Sequence, residues 1–180
     1  DGDPFASHVY RHFMEQTPER DNIKYSILTN GLMFKEFHTK VPYVINNLQE
    51  LGVSIDGASK ETYEKLRLGG NWDKIRENLD CIAELKEKHK FRFILHFVVQ
   101  KDNYHEMEKI IDLGVEYNAD RVWLSRIQDW NTFENFEDHN IFNTAHPLNS
   151  EYQKQLSKLE EFSKTLDGNI LEEATLRQLH

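Results

Sequence analysis

The feature that most constrains this chain is a change of hydrophobic period that repeats along it. Four runs carry the β-branched and aromatic residues that suit a pleat: residues 25–30 (YSILTN), 52–56 (GVSID), 91–100 (FRFILHFVVQ) and 121–127 (RVWLSRI). Between them apolar residues recur every three or four positions, as one face of a helix requires. Phe34, Phe37, Val41, Val44, Ile45 and Leu48 form one such stripe, Ile75, Leu79, Ile82 and Leu85 a second, and Met107, Ile110, Ile111, Leu113 and Val115 a third. A helix between successive strands returns the chain to the same end of the sheet, so the strands run parallel and the fold class is α/β.

Local signals refine this pattern. Val9, Tyr10, Phe13 and Met14 mark a helix ahead of the first strand. Pro42 lacks an amide hydrogen and is expected to kink or split the helix across 34–48. Ser59 and Ser150 stand where N-caps would, ahead of Thr62 to Leu66 and of the stripe Tyr152, Leu156, Leu159 and Phe162. Asp167-Gly168-Asn169 breaks that last helix, and residues 170–180 again look helical.

A doubly wound sheet and an open barrel both fit this order of elements, and the strand faces favour the barrel. In 91–100, Phe91, Phe93, Leu95, Phe97 and Val99 share one side, while Arg92, Ile94, His96, Val98 and Gln100 share the other. Ser54 and Asp56 likewise lie opposite Val53 and Ile55. One dry face for helices and one polar face suit a partial, open barrel around a ligand better than a sheet covered on both sides. Residues 1–149 are assigned to this barrel domain and 150–180 to a helical segment packed on it.

The net charge of −9 speaks against a nucleic-acid partner, whose phosphates attract clustered Lys and Arg. No apolar run approaches the ~20 residues of a membrane span, and no basic-then-apolar leader is visible. No membrane partner is therefore expected. Cys81 is the only cysteine, which leaves no internal disulfide and points to a reducing, cytoplasmic setting. Its helical spacing with Leu79, Ile82 and Leu85 reads as a small buried hydrophobe. The chain opens on Asp1-Gly2-Asp3-Pro4 without a methionine, which reads as an excerpt of something longer.

In parallel α/β proteins ligands gather beyond the carboxyl ends of the strands. Asn30, Ser54, Asp56, Gln100, Asn103 and Asp129 stand at such ends. Taken singly, Asn30-Gly31 and Asp56-Gly57 are ordinary turn formers. Polar residues at several strand ends in register point further, to a site.

Five segments in order resemble the motifs of radical S-adenosylmethionine enzymes, nearest the branch that often carries a SPASM or twitch extension. They are Gly2-Asp3-Pro4-Phe5-Ala6-Ser7; Thr29-Asn30-Gly31; Val53-Ser54-Ile55-Asp56-Gly57; Tyr63-Glu64-Lys65-Leu66-Arg67 with Gly69-Gly70; and Val98-Val99-Gln100 with Asn103. The resemblance implies a partial (β/α) barrel of the TIM-barrel-like kind that lacks its first strands. It also implies S-adenosylmethionine as cofactor, met by the backbone of Gly2, Asp3 and Pro4 at its amino group and by Ser54 and Asp56 at its ribose and methionyl part. Arg67 is implied as partner of the cofactor carboxylate, a task that suits a planar guanidinium fork. Gln100 and the segment from Ser125 to Ile127 would approach ribose and adenine, the latter through backbone, and Asn30 would point into the same cavity. His96 reads better as a satisfied interior histidine than as a base, and His8 and His12 as surface.

The departure from the family is the four-iron four-sulfur cluster. The family holds it with three thiolates spaced CxxxCxxC, and this chain has one cysteine, in a helix, with no metal ligand set of its own. The expectation is a fragment, inactive alone, of an iron–sulfur, metal-binding enzyme whose cluster ligands lie outside it. The bound groups would generate a 5′-deoxyadenosyl radical that abstracts hydrogen from a peptide, protein or sugar-related substrate. Trp123, Asp129, Trp130 and Phe133 near the barrel mouth would line the substrate site or pack its rim. A reductase such as flavodoxin or ferredoxin is the implied partner of the full-length enzyme. Self-association through the sheet edge left by the absent strands is also expected. The alternative is a degenerate, non-catalytic barrel that serves as an interaction or scaffold domain; an aldolase-like barrel ranks last, because only Lys101 ends a strand.

Overall fold

Strand–helix alternation yields one open sheet. The computed structural model describes residues 2–17, 23–166 and 170–180. Strands β1 (Tyr25–Thr29), β2 (Leu48–Ser54), β3 (Arg92–Val99) and β4 (Arg121–Arg126) lie in chain order, and each neighbouring pair is parallel. The sheet does not close, so β1 and β4 are its two edges. The helices are α1 (His8–Gln16), α2 (Phe34–Lys40), α3 (Lys60–Leu66), α4 (Trp72–His89), α5 (Met107–Glu116), α6 (Asn149–Ser163) and α7 (Glu173–Arg177), with 3-10 turns at Pro42–Asn47, Tyr104–Glu106 and Phe136–Asp138.

The helix ends follow their local chemistry. Ser59 Oγ accepts from the Thr62 amide at the start of α3, and Asn71 Oδ1 from the Lys74 amide at the start of α4. Lys90 takes a left-handed φ of 60° and ends α4. Pro42 does split the 34–48 helix: α2 stops at Lys40 and the proline opens a 3-10 turn.

Three expectations are corrected. β2 starts at Leu48 rather than residue 52, because Leu48 completes the helical stripe in sequence yet lies beyond the 3-10 turn. Ser150 is not an N-cap: α6 begins one residue before it, and the Asn149 side-chain amide is occupied by Ile141 O at 2.8 Å. Of the last eleven residues only Glu173–Arg177 is helical. The break expected at Asp167-Gly168-Asn169 lies outside the described residues.

The two sheet faces differ as the alternation requires. Leu51, Val53, Ile55, Phe93, Leu95, Phe97, Val99, Val122 and Leu124 are buried on one side, in one core with Ile75, Leu79 and Ile82 of α4 and Ile110 and Ile111 of α5. Gly114 shows how closely α5 approaches, since a Cβ there would lie 2.4 Å from Val122 Cγ2. On the other side Ser26, Leu28 and Arg92 are exposed, and Ser54, His96, Val98, Trp123 and Ser125 are half-buried. Cys81 packs half-buried at the margin of the core rather than inside it, because α4 turns its Ile75–Leu79–Ile82 stripe inward. Among the described residues no helix is long and apolar enough to cross a membrane.

Candidate functional site

Two side-chain clusters sit at the carboxyl end of the sheet. The first joins the segment before α1 to the end of β1. Asp3 Oδ2 accepts from Thr29 Oγ1 at 2.5 Å and from the Asn30 amide at 2.6 Å, while Asp3 Oδ1 accepts from the Phe5 amide at 2.9 Å. Phe5 is buried against Phe34 and Phe37, which anchors the loop from the other side. Asn30 spends its side-chain oxygen on the Leu32 amide at 3.0 Å, closing the turn to Gly31. Gly31 has a φ of 78°, and a Cβ there would lie 2.6 Å from Ile75 Cδ1, so glycine is required. Gly2 is exposed, and Pro4 borders the groove between α1 and β1.

The second cluster centres on Asp56, a non-glycine residue at φ 48°, a region that Asp tolerates better than most. Its Oδ1 accepts from the Val98 amide at 2.7 Å, and its Oδ2 pairs with Arg67 Nη2 at 2.6 Å. Arg67 is the C-cap of α3, so the β2–α3 loop and the helix bring the pair together. Burial pushes the Asp56 carboxyl above its ordinary value, against the downward pull of Arg67, the Val98 amide and His96. Tyr63, on the same helix, is pushed up to about 12, first by burial, and so remains neutral beside them. Arg67 Nε is buried with no hydrogen-bond partner among the described residues. A buried guanidinium donor without an acceptor costs stability unless something fills it.

Asn103 and Glu106 belong to this cluster, although the sequence placed only Asn103 at a strand end and did not single out Glu106. Asn103 Nδ2 donates to Asp56 O at 3.0 Å and to Val98 O at 2.8 Å, and its Oδ1 accepts from the Gln100 amide at 2.8 Å. Glu106 is buried and accepts from the Ala58 amide at 2.7 Å and from Ser59 Oγ at 2.5 Å. Asn103 could be found as a polar residue just after a strand, whereas Glu106 carries no signal that sets it apart from an ordinary first-turn acid.

The remaining expected residues are spread across the open face. Ser54 and His96 are register partners, as are Val98 and Ser125. Gln100 is nearly buried, and its backbone is committed locally, its carbonyl accepting from the Asn103 and Tyr104 amides. The Ile127 amide donates to Val99 O at 3.1 Å and so extends the β3–β4 ladder. The structure thus pairs Arg67 with Asp56, ties the backbones of Asp56 and Gln100 together through Asn103, leaves Ser54 at the end of β2 two residues before Asp56, and keeps Asp3 and Asn30 in a separate cluster at the end of β1. His96 lies between Glu50 and Asp56, and burial lowers it below the ordinary histidine value while both carboxylates pull it up. Its ring crosses β2 because Gly52 has no side chain: a Cβ there would lie 2.8 Å from His96 Nε2.

These groups fit one implied ligand and not the other. A buried, unpartnered Arg67 donor beside a desolvated carboxylate suits the carboxylate and hydroxyl groups of an amino-acid nucleoside such as S-adenosylmethionine. An iron–sulfur cluster does not fit. The lone thiol of Cys81 lies on α4, burial raises it above its ordinary value, and the described residues hold no group of three His, Cys, Asp or Glu placed for a metal.

No family model matches the chain. Among solved structures it is similar to SuiB from Streptococcus suis, solved alone, bound to S-adenosylmethionine and bound to precursor peptide SuiA. Each aligns with a TM-score of 0.63 and 12% identity over 94% of this chain and 36% of that one. The chain therefore spans little more than a third of the solved structures it matches. At this identity the likeness is one of fold, and the open, parallel α/β sheet expected from the sequence is the fold observed.

Proposed function

We propose that this chain is the S-adenosylmethionine-binding part of a radical S-adenosylmethionine enzyme of the SPASM or twitch-like branch. The observation that carries the reading is the Asp56–Arg67 pair at the carboxyl end of an open parallel sheet, with the buried Arg67 Nε lacking an acceptor among the described residues. The likeness in fold to SuiB, a protein solved with S-adenosylmethionine bound, supports it. Arg67 would turn from Asp56 toward the cofactor carboxylate, and Asp56, with Ser54 beside it, would then face the ribose hydroxyls. Gln100 would contribute through its side chain, and Ser125 and the Ile127 carbonyl would border the base. Gly2, Asp3, Pro4 and Asn30 would close the β1 side, with Asp3 holding the loop shut. When bound, the cofactor and a four-iron four-sulfur cluster supply radical chemistry; the cluster's cysteines would lie outside these residues. The substrate class is proposed to be a peptide, in keeping with the SuiA-bound structure of the similar protein. The edge at β1, uncovered among the described residues, is proposed to pair with another chain or copy.

The test is equilibrium dialysis of labelled S-adenosylmethionine against the full-length protein. Saturable binding that unlabelled S-adenosylhomocysteine displaces is expected, and no binding above a denatured control would overturn the reading. Anaerobic reconstitution of this chain alone should leave it colourless.

A further inference from the structure

The loop that carries Asp56 is held by side chains of the segment that follows β3. Asp56 holds an unfavourable left-handed backbone, Gly57 lies so close to α3 that a Cβ would meet Tyr63 N at 2.4 Å, and Arg67 ends the same short helix. The segment after β3 grips this loop at three points. Asn103 takes the carbonyl of Asp56, and the two oxygens of Glu106 take the Ala58 amide and the Ser59 hydroxyl. The Glu106 amide itself bonds Asn103 O at 2.8 Å, so the two side chains are held in one rigid turn. Ser59 also caps α3 through the Thr62 amide. Glu106 therefore fixes both the loop and the start of the helix whose other end presents Arg67.

We infer that Glu106 is a positioning residue for the ligand site: it touches no ligand and acts through the 56–59 loop, holding Arg67 where it meets either Asp56 or an incoming carboxylate. A buried carboxylate that accepts two donors is otherwise an expensive way to end a loop. An apolar residue would serve packing alone.

This rests on the S-adenosylmethionine reading, and two independent measurements keep the two apart. In the full-length protein, Glu106→Ala should weaken S-adenosylmethionine binding on the order of tenfold, the equivalent of one charge-assisted hydrogen bond. Glu106→Gln keeps an acceptor for the Ala58 amide and lets the Ser59 hydroxyl rotate, so it should restore most of the affinity. Because Glu106 acts through Arg67, the double variant Glu106→Ala/Arg67→Ala should bind no worse than Arg67→Ala. Ile82→Ala, a core truncation in α4, should lower the melting temperature and leave affinity unchanged. Without ligand, the buried Arg67 Nε–H should give an exchange-protected resonance in the wild type and in Glu106→Gln, and lose it in Glu106→Ala. Wild-type affinity in Glu106→Ala, effects that multiply in the double variant, or a retained Arg67 resonance would overturn the role of Glu106. A wild type that does not bind S-adenosylmethionine would remove the ligand assignment, and the resonance would then decide the positioning claim alone. If Glu106→Ala does not fold, Ser59→Ala removes one of the two clamp bonds and gives the same readouts.

Discussion

The two edges of the sheet are treated in opposite ways. Along β4 the chain returns and seals the strand: the Val122 amide donates to Ile170 O at 2.7 Å, the Gln178 side chain donates to Leu124 O, and Arg121 pairs with Glu172. Leu179 is fully buried there, and Tyr152 of α6 donates to its carbonyl at 2.6 Å. Along β1 nothing comparable is present among the described residues. Leu28 stays 55% exposed, and Val9, Tyr10 and Phe13 of α1 are exposed beside it, lining an apolar groove of about 470 Å3. A strand edge offers unpaired backbone groups, and a sheet stays soluble only if each edge is covered, charged or paired. The β4 edge is covered from within. Among the described residues the β1 edge is apolar and uncovered.

Substitutions at the two edges should differ in cost. Leu179→Ala removes a buried side chain from the β4 seal and should cost about 2–4 kcal/mol, visible as a lower midpoint in urea with an unchanged slope. Leu28→Ala at the open edge should change stability by less than about 0.5 kcal/mol. Equal losses at the two positions would mean that the β1 groove is as tightly packed as the β4 seal. Gln178→Ala leaves the Leu124 carbonyl without its partner and should cost about 1 kcal/mol in the same experiment.

A smaller effect lies on the open face, at His96. Burial lowers it, so the folded state favours the neutral ring, and its contribution is fully present above the ordinary value of 6.5. That contribution is lost as pH falls from there through the lowered folded value. Melting temperatures should drop between pH 7.5 and pH 5, and His96→Gln should flatten part of that slope; an identical slope in the variant would show that His96 is not desolvated. The smallest effect on stability, within about 0.5 kcal/mol, should come from Phe13→Lys with Leu28→Lys. The same pair should abolish any concentration-dependent association seen by sedimentation velocity. Association that survives both lysines would move the interface away from β1.

Much of this fold was legible in the sequence, because the signals are local. The alternation in 91–100 gave the dry and polar faces of β3, and Pro42 marked where the helical stripe stops being one helix. The seal on β4 was not legible, since it depends on a backbone bond between Val122 and Ile170 and on a glutamine reaching a distant carbonyl, neither of which has a periodicity. The site divides in the same way. Asp56 and Arg67 stood out by strand end and motif, and the structure brings them together. Glu106 did not, because a carboxylate at the start of a helical stretch reads as an ordinary first-turn acid until its burial against Ala58 and Ser59 is seen.

The most direct test of the Asp56–Arg67 site is calorimetric titration of S-adenosylmethionine into the full-length protein and its Arg67→Lys and Arg67→Ala variants. Lysine keeps the charge and loses the fork, and alanine loses both, so affinity should fall in the order wild type, lysine, alanine. The full drop should be about 1.5–3 kcal/mol, or roughly ten- to a hundredfold. Equal affinities across the three proteins would show that Arg67 does not hold the cofactor and leave it as no more than the structural partner of Asp56.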